Sequence, residues 1–407
     1  VSEVPRTVGP VGATAIVAGS ILGVGILLTP PVVATHVPSV AGFVGLWLLG
    51  AVVAVAGGLV YAELATLFPE AGGDVVFVER TYGRIAAILV GSVVFLGGFA
   101  GSTAAMAVAL GTYQLQTLIG AVSTVDLPGT VVLGVGGDQL TGAGIVLGLT
   151  ALNLGGARLS ATAQTVLTLV PMLGLVVLAA VGLTTGSGDL SPSARPLGDL
   201  SSAWLGVYFA YAGWPAVVYV AGEVRDPGRT LPLAVLGGTA VTTFLYGLLC
   251  AAFLVVLGFD GLADAGEAGT ALSSALLGPN GAVLAAGLVA AALLASVNAT
   301  LLGGARLMWA MARALDLTPL LPRDANGTPR RLLGLQALVA SGLCLLGGFT
   351  TLLAWTSTAM LLAGAVTVST QVVLRWRRPD LPRPFRAPLH PLPAVVYIGS
   401  ALIALLL

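Results

Sequence analysis

Between Pro10 and His36 the chain reads PVGATAIVAGSILGVGILLTPPVVATH, and the residues there that could do chemistry are its glycines. The stretch is apolar enough to cross a bilayer, yet Gly19, Gly23 and Gly25 fall in its middle, with Thr29, Pro30 and Pro31 following one turn later. A glycine costs a helix interior about 1 kcal/mol relative to alanine, so three of them around Ser20 predict a helix that breaks near mid-depth. Inside lipid, a break leaves peptide N–H and C=O groups unpaired at several kcal/mol each. It survives only where protein buries it or a polar cavity meets it. Half-helix ends of this kind hold substrate through their backbone. A kinked helix packed closely on a neighbour would use the same small residues.

A second interruption stands at 208–215, YFAYAGWP, where Gly213 and Pro215 fall near the middle of another apolar run. Proline removes a donor and collides with the preceding turn, so a simple kink would carry the same signature. The apolar runs place the two interruptions five spans apart, one opening each half of the chain, as an inverted repeat predicts. With an odd number of spans per repeat, the halves have opposite orientation.

The elements that must position these groups follow from composition. Of 407 residues, 57% are hydrophobic and 8% charged, against roughly 25% charged in a soluble domain, and mean hydropathy is +1.01. Apolar runs of about 20 residues, each long enough to span, recur along the chain. They predict a polytopic, all-α integral membrane protein with spans at 10–36, 39–67, 84–115, 139–156, 160–184, 202–221, 230–257, 281–312, 333–348, 351–374 and 391–407. That makes eleven, with a twelfth expected beyond the last. The polar segment 68–83 reads as a loop carrying a short surface helix, and 270–277 as a short outer helix. Cys250 and Cys344 sit inside apolar runs and read as small buried hydrophobes. The first apolar run is too long for a cleavable signal peptide and reads as a span.

Charge supplies the orientation. All 17 basic residues are arginine. With the N-terminus in the cytoplasm of a cell whose plasma membrane the chain crosses, only Arg195 falls outside, and the other arginines all fall inside. The outer loops carry acids instead, among them Asp199, Asp260, Asp264 and Glu267. Because the arginines track sidedness rather than forming a patch, no nucleic-acid partner is expected.

These residues resemble the amino acid–polyamine–organocation (APC) superfamily, and within it the bacterial and L-type amino acid permeases. AGSILGVGI at 18–26 is similar to that family's GS-x-x-GSGI segment, and YAELATLFPEAGGDVVFVERTYG at 61–83 to its E-L-x-x-x-x-P-x-x-G-G stretch. FAYAGWPAVVYVAGEVRDPGRTLP at 209–232 resembles its sixth-span signature, and SVNATLLGGARLMWAMAR at 296–313 and RRPDLPRPFRAP at 377–388 also fit. The resemblance implies a leucine-transporter-like fold of two five-span inverted repeats with discontinuous first and sixth spans. It divides the chain into a cytoplasmic N-terminus (1–9), a first repeat (10–184), an external loop (185–201), a second repeat (202–374), a cytoplasmic loop (375–390) and an additional C-terminal span (391–407). It also implies a secondary transporter working by alternating access, as exchanger or proton-linked symporter. Carried over residue by residue, the substrate carboxylate would rest on the N–H groups of Gly23, Val24 and Gly25, in keeping with the positive end of a helix. The α-amino group would meet carbonyls freed at Ile21, Phe209 and Ala212, beside Gly213. Phe209 would close over the substrate, although a packing aromatic would sit there equally well. The sequence departs from the family's pattern in three places. Val24 replaces the usual serine, Pro215 stands where some relatives carry an acid, and Pro171 stands roughly where proton-coupled relatives carry a fifth-span lysine.

The acids lie in loops or near span ends, so no charged group is expected at mid-membrane to pair with a cationic side chain. The expected pocket walls are Val94, Gly98, Phe209 and Asn298, a lining suited to neutral, largely apolar amino acids. Asn298 would equally bond across helices. Glu63, Glu223, Arg225 and Arg229, at cytoplasmic span ends, could form an inner gate, or serve as interfacial anchors. Cationic amino acids, polyamines or other amines are the alternative substrates, and protons a coupling ion on the symporter alternative. A channel filter, an intramembrane nucleophile with His or paired Asp, and an ATP-binding P-loop are all missing from the sequence. No enzyme activity, metal or cofactor is therefore expected.

Overall fold

The computed structural model describes Arg6 and residues 8–119 except Val24 and Ala71, then 135–155, 161–191, 195–314 and 330–406. Among these residues the fold is helical throughout, and its one β-type pairing is an isolated parallel bridge between Val8 and Val224. The helices are α1 (Pro10–Ile21), α2 (Gly25–His36), α3 (Val40–Leu67), α4 (Asp74–Tyr82) and α5 (Arg84–Ile119). They continue with α6 (Gly137–Leu154), α7 (Ala161–Thr185), α8 (Leu200–Tyr211), a 3-10 segment (Trp214–Glu223) and α9 (Pro227–Leu257). The chain ends with α10 (Phe259–Asp264), α11 (Ala268–Ala314), α12 (Arg330–Cys344), α13 (Phe349–Arg377) and α14 (Leu392–Leu406).

Six of the described helical stretches are long and apolar enough to cross a membrane by themselves, and α1 with α2, bent by 41° at their junction, make a seventh. Their outward faces carry exposed Leu48, Leu89, Phe244 and Leu284, which in water would be a liability and in lipid are solvated. Local chemistry sets the ends. Ser39 caps α3 by accepting from the Gly42 N–H at 3.2 Å. Asp199 caps α8, accepting from the Ser201 N–H at 2.9 Å and the Ser202 hydroxyl at 2.5 Å. The Ser202 hydroxyl, with the Ser201 and Ser202 N–H groups, holds the Asp199 carboxyl below its usual range. Helix α11 bends at Gly278, φ 72°, ahead of Pro279. Residues 268–277 thus form the short helix expected before the long one. Both cysteines are free and buried.

The interrupted spans cross at the centre. Helix α1 packs on α9 and on the 3-10 segment, while α2 packs on α8. Each half of the first span therefore lies against one half of the sixth. Around them α3 packs on α9 and α14, α7 on α9 and α11, and α5 on α6 and α13.

The segment 68–83 carries the short helix expected of it, but one face of that helix is packed into the bundle rather than lying on the surface. Helix α4 is embedded against α5 and α13, with Asp74, Val75, Phe77 and Val78 buried. The GGD sequence at 72–74 reads as a turn because its glycines and aspartate are turn residues. Only the packing reveals that the aspartate points inward.

Candidate functional site

The first helix ends at Ile21. Leu22 and Gly23 are non-helical, and a new helix begins at Gly25; Val24 lies outside the described residues. Breaking the ladder frees backbone groups that must be answered, and most of the answers are local. The Gly23 N–H donates to the Ile21 carbonyl at 2.6 Å, and the Leu22 N–H to Ala18 at 2.7 Å. The N–H groups of the first turn of α2, Gly25 to Leu27, have no intrahelical partners by helix geometry. They remain the donors able to receive a carboxylate.

In the sixth span α8 ends at Tyr211, and beyond Ala212 and Gly213 the chain continues as a 3-10 segment starting at Trp214-Pro215. The Ala212 N–H donates to the Phe209 carbonyl at 3.3 Å, and Ala216 N–H to Gly213 at 3.1 Å. The carbonyls of Ile21 and Phe209, expected to be free for an amino group, are thus engaged in this conformation.

Where the breaks meet, no side chain fits. A Cβ on Gly25 would lie 2.8 Å from the Ala210 Cα, and one on Gly213 would penetrate the Ser20 carbonyl and the Ile21 nitrogen. The glycines at these two positions permit backbone-to-backbone contact between the spans. Tyr246 of α9 ties them together, its hydroxyl reaching the Ile21 carbonyl at 2.5 Å and the Ala210 carbonyl at 2.9 Å. No local signal marks Tyr246, because only the fold brings α9 beneath both breaks.

Beside the first break lies a cavity of about 10 Å³ bounded by Leu22, Gly23, Leu27, Pro171, Met172, Leu175, Ala292 and Ser296. That volume is about one water, so the breaks are packed shut around a space far smaller than an amino acid. Of the expected site residues that the structure describes, only Gly23 borders it. Val94 is buried in the core, and Gly98 faces Met360 of α13. Phe209 is half-buried against the core. Asn298 accepts from the Asn153 side-chain amide at 2.6 Å, joining α11 to α6. Pro171, the position already notable in the sequence, abuts the break together with Met172, so the fifth-span wall there is apolar.

The proposed inner gate residues do not form one network here. Glu63, 1% exposed, accepts from Arg375 Nε at 2.9 Å, Gln371 Nε2 at 2.8 Å and the Ala387 N–H at 2.8 Å, with Arg383 Nε at 3.3 Å. It thereby clamps the loop after α13 onto α3. Glu223 and Arg225 meet the N-terminal segment instead, through the backbone pairs Val8 N–H to Glu223 O and Arg225 N–H to Val8 O. Arg229 lies in the first turn of α9 with its N–H on Asp226 O. Their expected placement at cytoplasmic span ends grouped these four residues, but the partners of Glu63 come from positions more than 300 residues away.

Comparison with known proteins gives a consistent outcome. A family model described as amino acid permease matches residues 8–407. The large neutral amino acids transporter small subunit 2 of Homo sapiens is 28% identical over 394 residues, 94% of this chain and 72% of that protein. The Asc-type amino acid transporter 1 of Mus musculus is 29% identical over 409 residues, covering 97% and 74% respectively. The b(0,+)-type amino acid transporter 1 of Mus musculus is 26% identical over 414 residues, 99% of this chain and 83% of that protein.

Proposed function

Because this chain belongs to the amino acid permease family of the APC superfamily, we propose that it carries neutral, largely apolar amino acids across the plasma membrane by alternating access. The observation that carries this reading is the direct contact of two interrupted spans at Gly25–Ala210 and Ser20–Gly213. Two helices broken at one level leave backbone groups facing each other, the arrangement that holds the charged ends of an amino acid. A five-plus-five inverted repeat, eleven spans and a cytoplasmic N-terminus complete the reading. The break, its cavity and the fifth-span wall are lined by Leu22, Leu27, Met172 and Leu175, which supports an apolar substrate side chain. Relatives named for large neutral amino acids support the same substrate class.

In the present packing the site is shut, and substrate entry requires α1 or the 3-10 segment to move away from its partner. Gly23, Val24 and Gly25, with the first turn of α2, would receive the carboxylate. The Ile21, Phe209 and Ala212 carbonyls would receive the amino group once Tyr246 and the local turns release them, with Phe209 closing over the bound molecule.

The test is uptake of labelled leucine, alanine and arginine into proteoliposomes holding the purified protein, with and without unlabelled internal amino acid. Leucine or alanine uptake stimulated by internal substrate is expected. Uptake of arginine alone would overturn the neutral-substrate reading, and uptake of none would overturn the permease function.

A further inference from the structure

A second cavity, of about 260 Å³, lies between α3, α9 and the last residue of α8, and shares no lining residue with the space beside the first break. Its closed end is aromatic: Trp47, Tyr211 and Tyr246 line it and are 6%, 3% and 1% exposed. Its lining also includes Val44 and Leu48 of α3 and Gly247 of α9, which are exposed. Leu48 and the neighbouring Phe244 belong to the face solvated by lipid. The cavity therefore opens sideways, toward hydrocarbon rather than water.

The walls are mostly apolar side chains and ring faces, yet Trp47 brings a donor to them that the protein leaves unanswered. Its Nε1–H is buried and has no hydrogen-bond partner. An indole nitrogen donates only, and a buried one normally finds an acceptor, because an unmet donor has lost its bond to water with nothing in return. The ring is held in place by Phe43, Tyr211 and Tyr246, at 6.2, 6.0 and 5.7 Å between centroids. It cannot readily turn toward an acceptor elsewhere. Trp47 stands about 10 Å along the axis from the start of α3 at Val40. At that depth in a span neither bulk water nor a charged headgroup is at hand, so the acceptor must arrive on a neutral molecule dissolved in hydrocarbon. Thr243 of α9, also on the wall, offers a hydroxyl that can donate or accept.

Size narrows the class. An apolar cavity of about 150 Å³ takes benzene, so about 260 Å³ has room for one ring with a short substituent. A lipid acyl chain would fill the space but carries no acceptor oxygen at that depth, and the indole would stay unmet. The walls also belong to the parts that hold the two breaks together. Tyr246 carries the hydroxyl that joins the Ile21 and Ala210 carbonyls, and Tyr211 is the last residue of α8 before the sixth-span break. A ligand packed on both rings binds better while they stay in this arrangement, and so shifts the equilibrium toward the shut packing.

We propose that this cavity binds a small, neutral, membrane-dissolved molecule with a ring body and one acceptor oxygen, recognised by the Trp47 Nε1–H. Its occupation slows exchange by holding Tyr211 and Tyr246 in the shut packing. The effect on exchange rests on the permease function proposed above; binding itself does not.

The experiment uses the full chain in lipid, with acetophenone as the probe and ethylbenzene as its counterpart without the carbonyl. The readouts are the unfolding temperature in nanodiscs and the exchange rate in proteoliposomes, each against probe concentration. For wild type, acetophenone is expected to raise the unfolding temperature saturably and to slow exchange over the same concentrations. It should bind about two- to tenfold more tightly than ethylbenzene, the worth of one hydrogen bond. In Trp47→Phe that preference disappears. In Gly247→Leu both probes lose their effect: a Cβ there meets nothing within 4 Å, so the added side chain narrows the opening without a clash, and exchange without probe keeps the wild-type rate. Ethylbenzene binding wild type as tightly as acetophenone would overturn the proposal and leave the cavity to hydrocarbon, acyl chains included. So would probe effects that never saturate, or that persist unchanged in Gly247→Leu, the mark of partition into the bilayer alone; neither outcome depends on Trp47→Phe folding. Saturable binding that leaves a working exchange rate unchanged would overturn the link to the shut packing. If binding shows the expected preference while no amino acid moves, the site stands and the permease function falls.

Discussion

Replacing Tyr246 by phenylalanine removes a single oxygen, but it is the oxygen that spans the two breaks. Tyr246 is 1% exposed, and its hydroxyl lies 2.5 Å from the Ile21 carbonyl and 2.9 Å from that of Ala210. The two carbonyls are not equally affected. Ile21 keeps the Gly23 N–H at 2.6 Å, whereas Ala210 belongs to the last turn of α8, where helical carbonyls lack a partner four residues on. An acceptor left unsatisfied in a buried site costs about 1–3 kcal/mol. Side-chain hydrogen bonds measured within membranes fall toward the lower end, about 0.6 and at most about 1.7. A net loss of roughly 1–2 kcal/mol is therefore expected, equivalent to a factor of about 5–30 in the equilibrium between shut and open packing. Since the bridge exists only while both breaks are in contact, that loss falls on the shut state. Tyr246→Phe should exchange substrate faster, up to that factor, and unfold at a lower temperature in detergent. The control is Thr239→Val on the same helix, whose buried hydroxyl bonds only its own Val235 carbonyl at 2.7 Å. It should leave exchange unchanged. Wild-type exchange and unfolding in Tyr246→Phe would refute the assignment of this hydroxyl as the tie between the spans.

Two other perturbations probe the same architecture. Gly213→Ala places a Cβ inside the Ser20 carbonyl and Gly25→Ala one 2.8 Å from the Ala210 Cα; overpacking of this kind costs typically about 1–3 kcal/mol. Both should abolish or strongly slow exchange, whereas Gly19→Ala, with open space at its Cβ, should transport normally in the same vesicles. Glu63→Gln leaves Arg375 and Arg383 facing a neutral amide and should destabilise the protein by roughly 3–5 kcal/mol, read as a lower unfolding temperature. Removing Arg375 together with Glu63 should cost less than the sum of the single changes, and strict additivity in that double-mutant cycle would dissolve the clamp.

The two interruptions were legible because their causes are local. Gly23 and Gly25 weaken a helix wherever it lies, and Gly213 with Pro215 does the same, so the breaks appear close to where the residues place them. The helical class and the membrane environment were equally open to inspection, since they depend on apolar run lengths alone. Asn298 was legible by type: a lone amide in an apolar span needs a partner, although only packing identifies that partner as Asn153. The inner charges were not legible. Glu63 was grouped with Glu223, Arg225 and Arg229, but its actual donors, Gln371, Arg375, Arg383 and Ala387, arrive from the far end of the chain.

What the sequence by itself determined is therefore everything that a single segment can express: spanning length, the points where the helix fails, the sign of the loops and the absence of a charged fifth-span residue at Pro171. What only the tertiary structure decided is which groups answer the exposed backbone and the buried charges. Tyr246 reaches both breaks, Gly25 and Gly213 become contact points, and Asp74 turns from a loop residue into the hub of the Tyr61, Tyr219 and Thr367 hydroxyls. The physical reason is the range of the forces involved. Propensity and hydropathy act along the chain within a few residues, whereas a hydrogen bond is defined within a few tenths of an ångström between atoms that, as at Glu63, lie hundreds of residues apart.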